Sequence, residues 1–454
     1  MRRTFAISPF FALAVFLATS TAPAAEARPN FVVILADDQA WNGTAVPMIA
    51  GDETSRSPNF RTPNLARLAA EGVTFSQAYA SHCKCECSRA ALLMGRSTTS
   101  LNATDKRDRQ WNAPPSASLA NTLKRAAPEY RAAHLGKWQW PQAPASMGYD
   151  VNDGITQNED GDSPDPKDPK RSFSITRQAV LFMKEQAAQG RPFYLQLSYY
   201  AVHATPQALA STLQNYEVMG QGGATPKKKA DAKKKAGAGG GDRRVITAMT
   251  EDLDGRVGVV LEQLEALGIA KDTYVIYTSD NGGRTGVLSG GKGNLGEGGI
   301  RVPLIVRGPG VVAGRHCNEP VVGYDLLATV LDLAAPGTDL PLGVEGGSWR
   351  AVLADPAAKV RRPLHRLVFH MAVEVEHPQS AIRRDDFKLL YEWDTRQARL
   401  YDLAEDPGER KDLAKLMPEK AAALREELRQ HVRAGLGEKA FAALDGGSAP
   451  IPGR

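Results

Sequence analysis

The stretch Asn30-Phe-Val-Val-Ile-Leu-Ala36, followed at once by Asp37-Asp38, decides the fold. It is almost wholly apolar, rich in β-branched side chains, and shows no polar–apolar alternation. That texture predicts a strand covered on both faces. Such a strand belongs to a sheet sandwiched between helices, and two carboxylates at its carboxyl end fall where these sheets bind ligands. Three more runs share the texture and the ending. Residues 130–135 are followed by Lys137, residues 192–200 by His203, and residues 273–278 by Asp280-Asn281. Asp and Asn are common turn formers, so one such ending carries little weight. Four of them point to one shared site.

Helical patterns lie between these strands. The clearest covers 251–267, where Leu253, Val257, Val260, Leu261, Leu264 and Leu267 keep helical spacing and Gly268 ends it. Beyond residue 340 the texture changes. Short strands are predicted at 367–370, 380–383, 387–393 and 398–403, with a helix at 418–434. The expected organisation is an α/β domain over 28–340 and a smaller antiparallel α+β domain over 341–454.

Composition places the chain among globular proteins: 454 residues, 42% hydrophobic and 24% charged. Its net charge of +5 is local. Between Gln221 and Arg244 six Lys and two Arg face two Asp, which leaves the remainder close to neutral. A basic segment is not a basic face, so this is not a nucleic-acid-binding pattern. Residues 220–242, rich in Gly, Ala and Lys, read as an inserted loop unable to bury apolar surface. At the N-terminus, Arg2 and Arg3, an apolar stretch over 10–17, and the exits Ala22-Pro-Ala24 and Ala25-Glu-Ala27 read as a signal peptide over 1–27. This predicts an exported protein, periplasmic or secreted. The apolar stretch falls short of the roughly 20 residues that span a bilayer, so no transmembrane anchor is expected.

Four cysteines are too few for a disulfide scaffold. Cys83, Cys85 and Cys87 are spaced two apart along what reads as an extended chain, with no second cluster to complete the four ligands of a zinc site. Whether Cys83 or Cys87 pairs with Cys317 stays open. Asp37, Asp38, Asp280 and Asn281 offer only oxygen donors, the set of a hard cation such as calcium or magnesium.

The segment Cys85-Glu-Cys87-Ser88-Arg89-Ala-Ala-Leu-Leu-Met-Gly95-Arg96 resembles the signature of the sulfatases. Only Cys85 has an arginine four residues on. The resemblance runs through Ala36-Asp-Asp38-Gln, Thr62-Pro-Asn-Leu65, Gly136-Lys137-Trp138, Tyr200-Ala-Val-His203 and Ser279-Asp-Asn-Gly-Gly283. It continues through Gly290-Gly-Lys292-Gly, Glu297-Gly-Gly-Ile-Arg-Val-Pro303, Leu400-Tyr-Asp-Leu403 and Asp406-Pro-Gly-Glu409. It is closest to bacterial enzymes of the arylsulfatase A type. It implies an alkaline-phosphatase-like α/β/α sandwich with a smaller C-terminal antiparallel α+β domain.

The family's chemistry is implied with it. Cys85 would be oxidised by a formylglycine-generating enzyme to an aldehyde that hydrates to a diol. Sulfate carried on that diol can leave as the aldehyde reforms, which a serine would not permit. By resemblance, Asp37, Asp38, the modified Cys85, Asp280 and Asn281 bind calcium or magnesium. Arg89 holds the diol, Lys137 and Lys292 hold the sulfate oxygens, and His203 protonates the leaving oxygen. The signature should open a short helix over 88–94, ended by Gly95. Two positions depart from the family: Cys87 stands where Pro or Ala is usual, and Gln139, expected against the substrate, replaces a histidine that assists sulfate release. The implied substrate is a sulfated carbohydrate or aryl sulfate. The alternatives are a phosphoester or phosphonate hydrolase of the same fold, or a sulfated-glycan binder of low activity. His134 reads as structural. His370, His377 and Arg383 read as surface residues outside the site.

Overall fold

Strand β1 (Asn30–Ala36) is buried at every position and pairs in parallel on both edges. Its side chains divide between two cores: Phe31, Val33 and Leu35 enter one, Val32, Ile34 and Ala36 the other. This is the two-residue period of a strand serving two layers at once. The computed structural model describes residues 28–101, 113–217, 243–284, 286–372 and 377–446; the expected signal peptide and the 220–242 insert lie outside them.

The other strands of the larger unit are β2 (Val73–Phe75), β3 (Ala78–Tyr79), β4 (Arg131–Gly136), β5 (Val151–Asn152) and β6 (Phe193–Ser198). They continue with β7 (Thr273–Ser279), β8 (Leu304–Arg307), β9 (Arg315–Cys317) and β10 (Val321–Val322). Eight of them form one mixed sheet in the order β5-β4-β6-β1-β7-β8-β2-β9, and β10 pairs with β3. The strands from β5 to β7 run parallel, while β8 is antiparallel to both neighbours.

Helices α2 (Cys85–Met94), α3 (Leu119–Ala126) and α8 (Asp325–Ala334) cover the first core. Helices α1 (Pro63–Ala70), α4 (Ser172–Ala188) and α6 (Arg243–Ala266) cover the second. Shorter helices α5 (Ala210–Glu217), α7 (Glu297–Ile300) and α9 (Arg350–Ala354) connect them. The sandwich is the one expected.

Two helix starts differ from expectation. Helix α6 begins at Arg243 rather than 251, because its first turns bury the small or polar residues Thr247, Ala248 and Thr250, which carry no strong apolar period. Helix α2 begins at Cys85 rather than Ser88, so Cys85 and Cys87 lie on a helix and not on an extended chain. Residues two apart on a helix face different ways. Gly95 ends α2 at φ +66°, a conformation glycine adopts without a Cβ penalty.

Strands β11 (Leu367–Met371), β12 (Gln379–Arg384), β13 (Phe387–Glu392) and β14 (Ala398–Asp402) form an antiparallel sheet in chain order. Helices α10 (Pro418–Leu436) and α11 (Glu438–Asp445) pack on one face through Leu424, Leu428, Val432 and Phe441. The other face puts Leu367, Phe369, Met371, Ala381 and Leu390 against Tyr79, Cys83, Leu295, Ile300 and Val322. This second face is the seam with the larger unit. Residues Trp349, Val352 and Val360, beyond 340, also pack into the first core.

With both faces of that sheet covered, His370 and Arg383 are buried, which corrects their reading as surface residues. His370 shares the Ser380 hydroxyl with Trp393, and Arg383 reaches Tyr79 and Gln77 across the seam. His377 is half-buried at a bend, 2.7 Å from Asp394. All four cysteines are buried free thiols, so Cys317 pairs with neither Cys83 nor Cys87.

Candidate active site

Four adjacent strands, β4, β6, β1 and β7, end level. Ser198 is opposite both Gly136 and Leu35, and Leu35-Ala36 lie opposite Thr278-Ser279. The following residues therefore emerge at one edge: Lys137 from β4, Asp37 and Asp38 from β1, Asp280 and Asn281 from β7. Backbone bonds fix the exits. Asp37 N donates to Ala201 O at 2.9 Å, Asp280 N to Ala36 O at 3.1 Å, and Lys137 N to Ser198 O at 2.8 Å. His203 arrives on the turn after β6. A side chain at Gly136 would place its Cβ 2.1 Å from Ser198 O, so only glycine lets β4 deliver Lys137 here. Asp38 and Gln139 are non-glycine residues at φ +61° and +60°, backbone states that cost energy and cluster at functional sites.

The edge is a largely buried charge cluster. Asp37, Asp38 and Asp280 meet Lys137, Lys292 and Arg89 one to one. Lys137 Nζ bonds Asp37 Oδ2, with both side chains fully buried. Lys292 Nζ lies 2.6 Å from Asp38 Oδ1 and 2.8 Å from Oδ2. Arg89 donates from Nε and Nη2 to Asp280 Oδ2 at 2.9 and 2.7 Å, and from Nη1 to Lys137 O at 2.8 Å. Burial opposes the charged forms of Lys137 and Arg89. The facing carboxylates outweigh it and hold both pKa values above the ordinary. Asp280 is pushed up, by burial first and by Asp37 second.

Cys85 opens α2 beneath this cluster, its Sγ 3.9 Å from Lys292 Nζ. Burial raises its thiol pKa, with Lys137 pulling the other way. Ligand atoms of Asp37, Cys85 and Asp280 lie within 4.8 Å of one another, as do those of Asp37, Asp38 and His203. His203 Nε2 is 3.9 Å from Asp38 Oδ2, and burial lowers its pKa below the ordinary 6.5. Asn281 Nδ2 donates to Asp38 Oδ1 at 2.9 Å. Two buried oxygens, Asp37 Oδ1 and Asn281 Oδ1, have no hydrogen-bond partner. Buried acceptors of that kind ask for a ligand. Together with the surrounding carboxylates they fit a metal ion with hard, oxygen-seeking character.

Gln139 follows Lys137 by two residues. Its backbone N–H is held by Thr156 O and its Nε2 by Asn158 Oδ1, each at 2.9 Å, while its Oε1 is buried without a partner. His134 lies on β4, two residues before Gly136. Its Nε2 is 3.0 Å from Ser198 Oγ, Trp138 and Tyr149 pack edge-on around it, and burial drives its pKa to about 3. It is a structural histidine. Sequence reasoning passed over Arg284, whose Nε stands 3.9 Å from Asp38 Oδ2 with a part-exposed side chain. Its signal was its place three residues past Asn281 in a glycine-rich loop.

The chain is similar to known proteins over most of its length. The family profile "Sulfatase" matches residues 29–336, and that of "N-sulphoglucosamine sulphohydrolase, C-terminal" matches 292–435. A protein named "Sulfatase" from Formosa agariphila is 28% identical over 90% of this chain and 87% of its own length. The mouse N-acetylgalactosamine-6-sulfatase is 29% identical over 67% of this chain, which spans 62% of that enzyme. Among solved structures, that of Ps i-CgsB in complex with k-i-k-neocarrahexaose superposes with a TM-score of 0.73. It is 24% identical, covering 92% of this chain and 98% of the other. Matched over most of its length by the sulfatase profile, and closing its sheet edge on a buried cysteine beside two carboxylates, the chain belongs to the sulfatase family and is a sulfatase.

Proposed function

We propose that this enzyme is an exported hydrolase of sulfated carbohydrates that works through a formylglycine made from Cys85, with a calcium ion beside it. The observation that carries the reading is the convergence of Cys85 with Asp37 and Asp280 at ligand distance, with Lys292 3.9 Å from Sγ. The carbohydrate class rests on the likeness to the N-acetylgalactosamine-6-sulfatase. Asp37, Asp38, Asp280 and Asn281 would hold the cation, magnesium being its substitute. When bound, the cation acidifies and orients the oxygen that attacks sulfur. The hydrated aldehyde supplies a second hydroxyl, through which sulfate is later released.

The chain's own residues do the rest. Arg89, fixed at both ends by Asp280 and Lys137 O, orients the hydroxyls on residue 85. Lys137 and Lys292 hold the sulfate oxygens, where preorganised charge in a dry site counts most. The first turn of α2 adds the positive end of a helix. His203, at the less buried rim, donates a proton to the leaving alcohol. Gln139 contacts the sulfate by hydrogen bonds but cannot accept its proton as an imidazole would.

The test is co-expression with a formylglycine-generating enzyme. The peptide containing residue 85 should lose mass as thiol becomes aldehyde, and sulfate should be released from an aryl sulfate. Cys85→Ala should abolish release, while Cys83→Ala should retain it. Elemental analysis should find about one calcium or magnesium per chain. Conversion at Cys83 instead, or two tightly bound zinc ions, would overturn the reading.

A further inference from the structure

We propose that Lys388 and Glu409, from the C-terminal unit, are positioning residues for Lys292, so that the sulfate-holding lysine is placed by a buried ion cluster across the seam. The proposal rests on the role given to Lys292 above. Lys388 Nζ, fully buried, stands 2.9 Å from both Glu297 Oε1 and Glu409 Oε1. The other oxygen of Glu409 accepts the backbone N–H of Glu297 at 2.7 Å. Tyr79 OH donates to Glu297 Oε2 at 2.8 Å, and Arg301 lies 3.4 Å from it. Burial disfavours the lysine cation, but Glu297 and Glu409 outweigh it and raise its pKa. The same cation, with Arg301 and Arg383, holds Glu297 below the ordinary carboxylate value despite burial.

Glu297 is five residues from Lys292, and the segment between them is stitched to the site. Lys292 N donates to Gly283 O at 3.0 Å, and Gly293 N to Cys83 O at 2.9 Å. Asn294 N closes on Gly291 O, Gly296 N on Asn294 Oδ1 at 2.7 Å, and Gly298 N on Ser289 O at 2.6 Å. Leu295 is buried in the seam among Cys83, Phe369 and Leu390. Gly293 and Gly296 leave this loop little stiffness of its own. One end is anchored near Asn281, through Lys292 N on Gly283 O, and the other by Glu409 on Glu297 N, with Gly282 N on Gly299 O just beyond it. Neither Lys388 nor Glu409 touches the charge cluster at the sheet edge. Their contacts with Glu297 reach it through the loop that carries Lys292.

The experiment separates placement from mere stability. Lys388→Met alone should lower Tm, because it strands two buried carboxylates. Lys388→Met with Glu409→Leu removes one of the two stranded carboxylates and should recover part of that loss. That double variant still lacks the anchor on Glu297 N–H. In the matured enzyme we expect it to weaken inorganic sulfate, and raise KM for an aryl sulfate, by about 10- to 100-fold. In a Lys292→Ala background the same pair should change sulfate affinity by less than about twofold, since coupled residues are not additive. Glu409→Gln keeps an acceptor for the amide and should hold sulfate affinity near wild type. If the double variant fails to fold, Glu409→Ala takes its place, read by hydrogen exchange. Faster exchange at residues 291–298, in step with weaker sulfate, supports the proposal. Unchanged sulfate affinity in a folded double or Glu409→Ala variant overturns it, as does a loss that persists without Lys292. Wild-type sulfate affinity in Lys292→Ala would overturn the role of that lysine, and the proposal with it.

Discussion

Arg89 forks onto a single oxygen of Asp280, with Nε at 2.9 Å and Nη2 at 2.7 Å, and neither side chain is more than 2% exposed. Removing one member of so buried a pair leaves its partner uncompensated, at a cost of about 3–5 kcal/mol. Arg89→Leu should therefore lower stability by that order in denaturant titration. Adding Asp280→Asn should recover most of the loss while activity stays absent. A single variant as stable as wild type would mean the pair is not held as described.

His203 sets a pH dependence. Burial, outweighing Asp37, keeps its pKa below 6.5, so it is mostly neutral at pH 7. A proton donor must be charged, so kcat/KM should fall as pH rises through that lowered value. Bound sulfate ester adds negative charge beside the imidazole. The corresponding limb in kcat should therefore lie at higher pH. His203→Gln should erase both limbs; a profile that survives the substitution would assign the proton to another group.

Acid should loosen the fold through three other histidines. Burial holds His82 at about 4, and His134 and His370 at about 3. Below about 6.5 the unfolded chain takes up protons that these folded imidazoles refuse. Stability is then lost as pH falls toward 3–4, by up to about 1.4 kcal/mol per histidine per pH unit. Tm should drop steeply between about pH 6 and 4. His370→Asn, which can still meet Ser380, should make the decline shallower, and an unchanged slope would show that His370 does not drive it.

Gln139 predicts slow release of sulfate. Without a base at this position the second half of the reaction should lag. The alcohol should then appear in a burst of about one per enzyme before a slower steady state. Gln139→His should abolish the burst and raise the steady rate, within the roughly 10²–10⁴-fold that a general base contributes. His134 offers no relief, with its Nε2 on Ser198 and its pKa near 3. Rapid turnover by the wild type with no burst would show that position 139 does not limit the reaction.

Sequence revealed most where one residue type has few structural uses. A run such as Phe31–Val33–Leu35 beside Val32–Ile34 admits only a strand between two layers, and its Asp pair then falls at the sheet edge. The same logic found Lys137, Asp280 and Asn281. What stayed hidden was long-range. Charged residues are mostly exposed, so Arg383 was read as solvated, whereas the structure buries it against Tyr79 and Gln77. Lys388 and Glu409 gave no local sign that they meet Glu297, because partners 91 and 112 residues away leave no period in the chain. The first turn of α2 was missed since Cys85 and Cys87 carry no helical spacing of their own.

The level ending of β4, β6, β1 and β7 makes the hydrophobic cores a ruler for the chemistry. Sliding β1 by one residue would carry Asp37 and Asp38 along the sheet by about 3.3 Å. It would also swap Phe31, Val33 and Leu35 into the layer that now holds Val32 and Ile34. The apolar side chains thus forbid, by volume alone, the displacement that would scatter the carboxylates. Loops around the rim are free to lengthen or change composition without disturbing that alignment. New specificities on this scaffold should therefore arise by rewriting loops, while tolerance to insertion falls to nothing within the four strands.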